Sequence, residues 1–182
     1  MYVLLLTQSQ LSANLSGIIS SLNNIETILA NETAGVSTLR LILESMNLVT
    51  PFHHVRIILY NHDDIAIMLG VNETVQIARE PLETNEIYRS ILSINQPLSL
   101  EDVRTVPAWK NMDAPSITRS WIGIPLTNQL GTVGLVALSR FTFSPFTANE
   151  KELAQVFVRY INTLLVKLSN RMQKKHLYEK II

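Results

Sequence analysis

The chain has no cysteine, which removes disulfides, thiolate metal sites, iron–sulfur clusters and thiol nucleophiles together. Charge is also scarce. Asp, Glu, Lys and Arg make up 16% of the 182 residues, against roughly 25% in soluble proteins. With 47% hydrophobic residues, much of the surface must be neutral or covered, and self-association is the plainest cover. The opening Met1-Tyr-Val-Leu-Leu-Leu6 has no basic flank, and its apolar run falls far short of the ~20 residues a membrane span needs. A cytoplasmic location without a membrane span is therefore expected. Also missing are a Gly-rich phosphate loop, a Gly-x-Ser-x-Gly elbow and a His-Glu-x-x-His helix. Glu101-Asp102 is a carboxylate pair without an acid–base partner, so the expectation is no enzyme, with a small enzyme the least favoured reading. No helix-turn-helix or aromatic basic patch points to nucleic acid.

What charge there is lies unevenly. Residues 62–102 carry eight acids against two bases, whereas residues 167–182 carry five bases against Glu179. A basic tail of this kind could touch phosphates, but it also complements the dipole of its own helix end. His53 and His54, with Asp63 and Asp64 across a short turn, invite a metal reading; an exposed hairpin end explains them better, and no metal site is expected.

The first thirty residues show the cleanest period. Leu4, Leu11, Ile18 and Ile25 fall seven apart, as do Leu15, Leu22 and Leu29, which makes a narrow stripe repeating every ~3.5 residues. Such a seam suits a parallel homodimer, although the helix could instead pack within its own subunit. A second helix is predicted over 36–49, ended by Thr50-Pro51. Strands follow over 55–61 and 65–71, each apolar on both faces, so the sheet should be covered on both sides. A short helix over 85–94 ends at Asn95-Gln-Pro97. Residues 103–119 read as a loop whose Trp109 and Met112 should be buried. The last helix starts near Ala148, where Thr147-Ala-Asn-Glu150 has capping-box spacing, and its broad apolar arc has room for two contacts.

Two apolar runs, 121–126 and 132–138, flank the polar turn 128–131 and predict a hairpin. If Thr127 opposes Thr132, then Pro125 faces Gly134 and Gly123 faces Val136. Trp121, Gly123, Pro125, Gly134 and Val136 then share one face, a depression fit to floor a pocket roofed by residues 103–119. The candidate ligand-binding residues are Tyr88, Trp109, Met112, Arg119, Ser120 and Trp121. The aromatics among them could equally fill the core, and Arg119 could serve an anion or a surface ion pair.

The stretch 53–168 resembles a GAF domain. The resemblance rests on the opening strands, the phrase Asn95-Gln-Pro-Leu-Ser-Leu-Glu-Asp-Val103, the Ile124-Pro-Leu126 hairpin, and Ser144-Pro-Phe-Thr147 leading into a long helix. It implies an α+β, GAF- or PAS-like fold: an antiparallel sheet of five or six strands, helices on one face, loops and short helices on the other, and long N- and C-terminal helices. The expected divisions are a coiled-coil-like helix over 1–31, a GAF-like domain over 32–168 and a helical extension over 169–182. It further implies a sensor of a two-component or related signalling system, which dimerises through its terminal helices, binds a small molecule and passes the signal to a downstream domain or protein. A ligandless dimerisation scaffold is the alternative. The cofactor is unknown, but the family's covalent bilin receptors and methionine-sulfoxide-reducing enzymes need cysteine, which this chain lacks. Cyclic-nucleotide-binding members carry an Asn-Lys, Phe, Asp-Glu pattern. Here the positions are Ser139-Arg140, Phe146 and Asn149-Glu150, so that ligand is disfavoured, while Arg140 and Glu150 could still clamp the loop.

Overall fold

The computed structural model describes residues 16–17, 19–30, 35–59, 65–69, 76–79, 86–111, 114–129 and 131–181, with the side chains of 36, 65–69, 76–79, 111 and 172–181 excepted. Helix α1 covers 19–30. Then come α2 (Val36–Val49), β1 (His54–Leu59), β2 (Ile65–Leu69), β3 (Gln76–Arg79), α3 (Glu86–Ile94), β4 (Leu98–Leu100), β5 (Ser120–Asn128), β6 (Gly131–Arg140) and α4 (Ala148–Ile181). Two short 3-10 helices, Val103–Thr105 and Pro107–Asn111, occupy the segment read from sequence as a loop. Two compact units result: Met1–Val49 with Tyr160–Ile182, and Thr50–Arg159.

The helical unit buries Ile25 and Leu29 of α1, Leu39, Ile42, Leu43 and Met46 of α2, and Ile161 and Leu164 of α4, each set at the three- and four-residue spacing of one helix face. Two polar contacts tie α1 to α4. The Tyr160 hydroxyl donates to Glu26 Oε1 at 2.8 Å, and Lys167 Nζ donates to the Leu29 carbonyl. Ile25 and Leu29, both on the heptad stripe, are thus buried within a single chain. Leu4, Leu11, Leu15 and Ile18 of that stripe lie outside the described residues.

The sheet unit is a six-stranded sheet in the order β3-β2-β1-β6-β5-β4, and every pairing in it is antiparallel. Strand β1 is almost continuously buried, with Arg56 buried among its apolar residues. Pro125 is tolerated in β5 because β4 pairs with Trp121–Gly123; beyond that point, among the described residues, no strand pairs with that edge of β5 and no amide is required there. Asn95 stops α3 at a left-handed φ of 54°, a conformation Asn accepts more readily than most residues. Its side-chain oxygen then accepts from Thr132 Oγ1 at 2.8 Å.

The hairpin departs from the register read off the sequence. Thr127 does oppose Thr132, but Leu126 pairs with Gly134, so Val133 is an extra residue in β6. This bulge moves everything beyond it by one position. Pro125 faces Leu135 and Gly123 faces Ala137, which puts Leu135 and Ala137 on the Trp121 face in place of Gly134 and Val136. Gly134 serves a different purpose there: a Cβ on it would stand 2.2 Å from the Ile58 carbonyl oxygen of the neighbouring strand.

Candidate functional site

The face of the sheet that carries Trp121 is roofed from within the same unit. Ile58, Trp121, Leu135 and Ala137 form the floor; Ile87, Tyr88 and Ile91 of α3 pack on it together with Val103. Val106, Ala108 and Trp109 close the cover from the 3-10 segment and Ala114 from just beyond it, and Leu98 and Leu100 of β4 flank it. The helix α3 suits this position because Ile87, Tyr88 and Ile91 lie on one face of it and are all buried.

Three of the candidate residues meet here. Trp121 is 1% exposed and Tyr88 is 2% exposed, whereas Trp109 is half-buried. The Trp109 ring stands edge-on to Trp121, with centroids 5.8 Å apart at 67°, and Tyr88 lies 6.5 Å from Trp121 at 38°. The first is a favoured edge-to-face geometry, and the second a tilted contact within the usual range of centroid distances. The depression that Gly123 was expected to leave is already filled: a Cβ on Gly123 would fall 2.4 Å from Trp121 Cη2 and 2.5 Å from Ile91 Cδ1.

Two other candidates turn elsewhere. Strand alternation sends Ser120 to the face opposite Trp121, where its hydroxyl donates to the Ser144 carbonyl at 3.0 Å and reaches the Thr142 carbonyl at 3.4 Å. Arg119 lies just ahead of β5; its guanidinium donates to the Thr118 carbonyl at 3.0 Å and sits 5.6 Å from the centroid of the Phe143 ring. Met112, like Asp63 and Asp64 of the metal reading, lies outside the described residues. His53 stacks on Phe141, with centroids 5.0 Å apart, and its Nδ1 accepts from the Phe141 amide at 3.3 Å. Among the described residues, no group of three or more His, Cys, Asp or Glu is placed to hold a metal ion. Nor is any described helix long and apolar enough to cross a membrane.

The roof is fixed at its start by Asp102. This residue caps the Val103–Thr105 turn through the Arg104 amide at 3.0 Å and pairs with the Arg104 guanidinium at 2.7 Å. The Arg104 hydrogen bond, opposed by burial, holds the Asp102 carboxyl down at about 2. The pair is exposed and contributes little to stability. The Val103 amide donates to the Arg119 carbonyl at 2.9 Å and so stitches the roof to the start of β5.

A second constellation surrounds Arg140, at the end of β6. Arg140 is 5% exposed. It forms an ion pair with Glu150 at 2.5 Å, and its guanidinium lies 4.0 Å from the centroid of the Phe146 ring. The clamp read from sequence therefore forms, and with it the capping box: Glu150 Oε2 accepts from the Thr147 amide at 2.8 Å, and the Glu150 amide donates back to Thr147 Oγ1 at 3.3 Å. Burial would raise the Glu150 carboxyl; the hydrogen bonds from Arg140 and Thr147 outweigh it and hold it below its ordinary value. What the sequence did not disclose is a backbone partner, the Pro51 carbonyl, which accepts from Arg140 Nε at 2.7 Å.

Comparison with curated proteins gives no match. Among solved structures, the chain is similar in fold to the free methionine-R-sulfoxide reductase of Neisseria meningitidis, at 15% identity and TM-score 0.65 over 85% of this chain and 91% of that one. It is likewise similar to the GAF domain of a phosphoenolpyruvate-protein phosphotransferase from Coxiella burnetii, at 13% identity and TM-score 0.64 over 87% and 96%. A third likeness is the GAF domain of a two-component sensor histidine kinase from Bacillus halodurans, at 14% identity and TM-score 0.56 over 72% and 95%. The family model for the GAF domain matches residues 36–165, and the chain belongs to the GAF domain family.

Proposed function

We propose that this chain is a regulatory GAF module of a signalling system, one that works as an interaction scaffold with its sheet face closed by its own side chains. The observation that carries this reading is the Gly123 site: the room a glycine makes is taken by the Trp121 indole and Ile91. A ligand there would have to displace a Trp that is 1% exposed, losing the aromatic contacts and burial that hold it. The likeness to the GAF domain of a sensor kinase supports a signalling setting. Thiol-based reduction is closed to a chain without cysteine.

Self-association would use what the helical unit leaves outside. Ile25 and Leu29 are buried in the single chain, whereas Ile19, Leu48 and Val166 are 58%, 76% and 45% exposed. Ile19 and Val166 support a homodimer through α1 and α4, with α4, 34 residues long, passing a change of packing onward to a partner domain or protein. Small-molecule sensing is the second reading, favoured by the half-buried Trp109 in a roof of short helices; opening that segment would expose the floor.

Native mass spectrometry of the purified protein, read beside its tryptophan emission, tests the choice. The scaffold reading expects polypeptide mass alone and blue-shifted emission unchanged by a small-molecule library. A co-purified compound whose removal shifts the emission would overturn it in favour of sensing.

A further inference from the structure

We infer that Arg140 is a positioning residue that couples the two ends of the sheet unit, so that the Thr50-Pro51 segment and the first turn of α4 hold or release together. The sheet unit begins at Thr50, immediately after α2, and α4 begins at Ala148. Arg140 touches both. Its Nε donates to the Pro51 carbonyl at 2.7 Å. Its Nη1 donates to the Ser144 and Pro145 carbonyls at 3.0 and 3.2 Å, and its Nη2 donates to Glu150 Oε1 at 2.5 Å. A second tie runs parallel to these, from Thr50 Oγ1 to the Glu150 carbonyl at 3.0 Å.

The chemistry makes this arrangement cooperative. A guanidinium is a rigid, planar, permanently charged fork, so its donors cannot be re-aimed one at a time. Buried as it is, the group cannot lose one acceptor and replace it with water without rearranging the rest. If α4 lifts by its first turn, Glu150 leaves, and the fork is left with a buried charge and only carbonyls to face. The same rearrangement releases Pro51. Thr147 and Glu150, locked to each other by the capping box, carry the helix start with the carboxylate. A lysine at this position would keep the charge but would lack the fork that reaches three segments. The inference stands whether or not a small molecule lies under the roof.

Native-state hydrogen exchange on the full chain tests it. Two hydrogen-bonded amides report the two ends: His53, bonded to the Ser139 carbonyl, and Lys151, bonded to the Thr147 carbonyl. For Arg140→Lys, exchange at both is expected to rise by a common factor of about tenfold or more, with the same denaturant dependence, as one cooperative opening. Amides in the middle of β5 and β6 should change less. A rise at Lys151 with His53 unchanged, or different factors and slopes at the two, would overturn the inference and leave Arg140 as a local clamp. Should Arg140→Lys fail to fold, Glu150→Gln keeps an oxygen acceptor and removes the charge. The same paired rise is then expected, and a rise confined to α4 counts against coupling.

Discussion

At the scale of single residues, the chain spends its few charges where geometry rewards them. Glu150 is the clearest case, because its carboxyl is held below its ordinary value of 4.5 by Arg140 and Thr147 against the pull of burial. A carboxyl lowered on folding stabilises the native state above its unfolded pKa, and that contribution is lost as pH falls through the lower folded value. Urea unfolding followed from pH 7 downward should therefore show stability declining below about 4.5, and Glu150→Gln should flatten that part of the profile while lowering stability at neutral pH. Equal slopes for the two proteins would mean the ion pair is energetically idle. Much of this was legible from the residues: Arg140 kept a cation and Glu150 a carboxylate close enough along the chain to clamp the loop between them, and Thr147 and Glu150 had capping spacing. The Pro51 acceptor was not, since a backbone carbonyl has no side-chain signature and is brought to Arg140 only by the tertiary fold.

At the scale of elements, the β5–β6 hairpin shows how a single residue decides a whole face. The ends of the hairpin could be read, because Asn128 and Gly131 close it and Thr127 meets Thr132. The bulge at Val133 could not, because Val is an ordinary strand residue and the only hint was the glycine beside it. Gly123 and Gly134 consequently differ in kind. Beside Gly134 stands the Ile58 backbone, at 2.2 Å from a would-be Cβ, whereas beside Gly123 stand only side-chain atoms of Trp121 and Ile91. Gly123→Ala should cost about 1–3 kcal/mol, the usual range for overpacking that side chains can partly absorb. Gly134→Ala should cost more, since strands β1 and β6 must separate. Equilibrium urea denaturation of the two variants measures the order, and the reverse order would contradict the register. The α3 face was otherwise readable in outline: Trp121, Tyr88 and Trp109 do converge, but Ser120 points away by strand alternation and Arg119 lies over Phe143. Whether a depression stays open depends on how an indole leans along its own strand, which no spacing encodes.

At the scale of the whole molecule, low charge and exposed apolar residues on the helical unit argue for a second copy. A dimer bound through Ile19 and Val166 would make thermal stability depend on protein concentration, because association removes folded chains from the unfolding equilibrium. The midpoint should rise as concentration is raised, and Val166→Asp should abolish that rise while leaving the dilute midpoint nearly unchanged. A midpoint independent of concentration in the natural chain would argue for a monomer. The heptad stripe suggested association; of its members, Ile25 and Leu29 are buried inside one chain, while Leu4, Leu11, Leu15 and Ile18 lie outside the described residues. Periodicity identifies a buried face correctly, but it cannot say whose surface buries it.

The chain contains two tryptophans, and they meet edge to face across the boundary between roof and floor. An indole held in fixed packing is dichroic in the near ultraviolet, so the two rings report how they are packed against each other. Lifting the 3-10 segment would change that dichroism. The protein thus carries its own optical gauge of how the 3-10 segment is seated, usable without labels or an engineered probe.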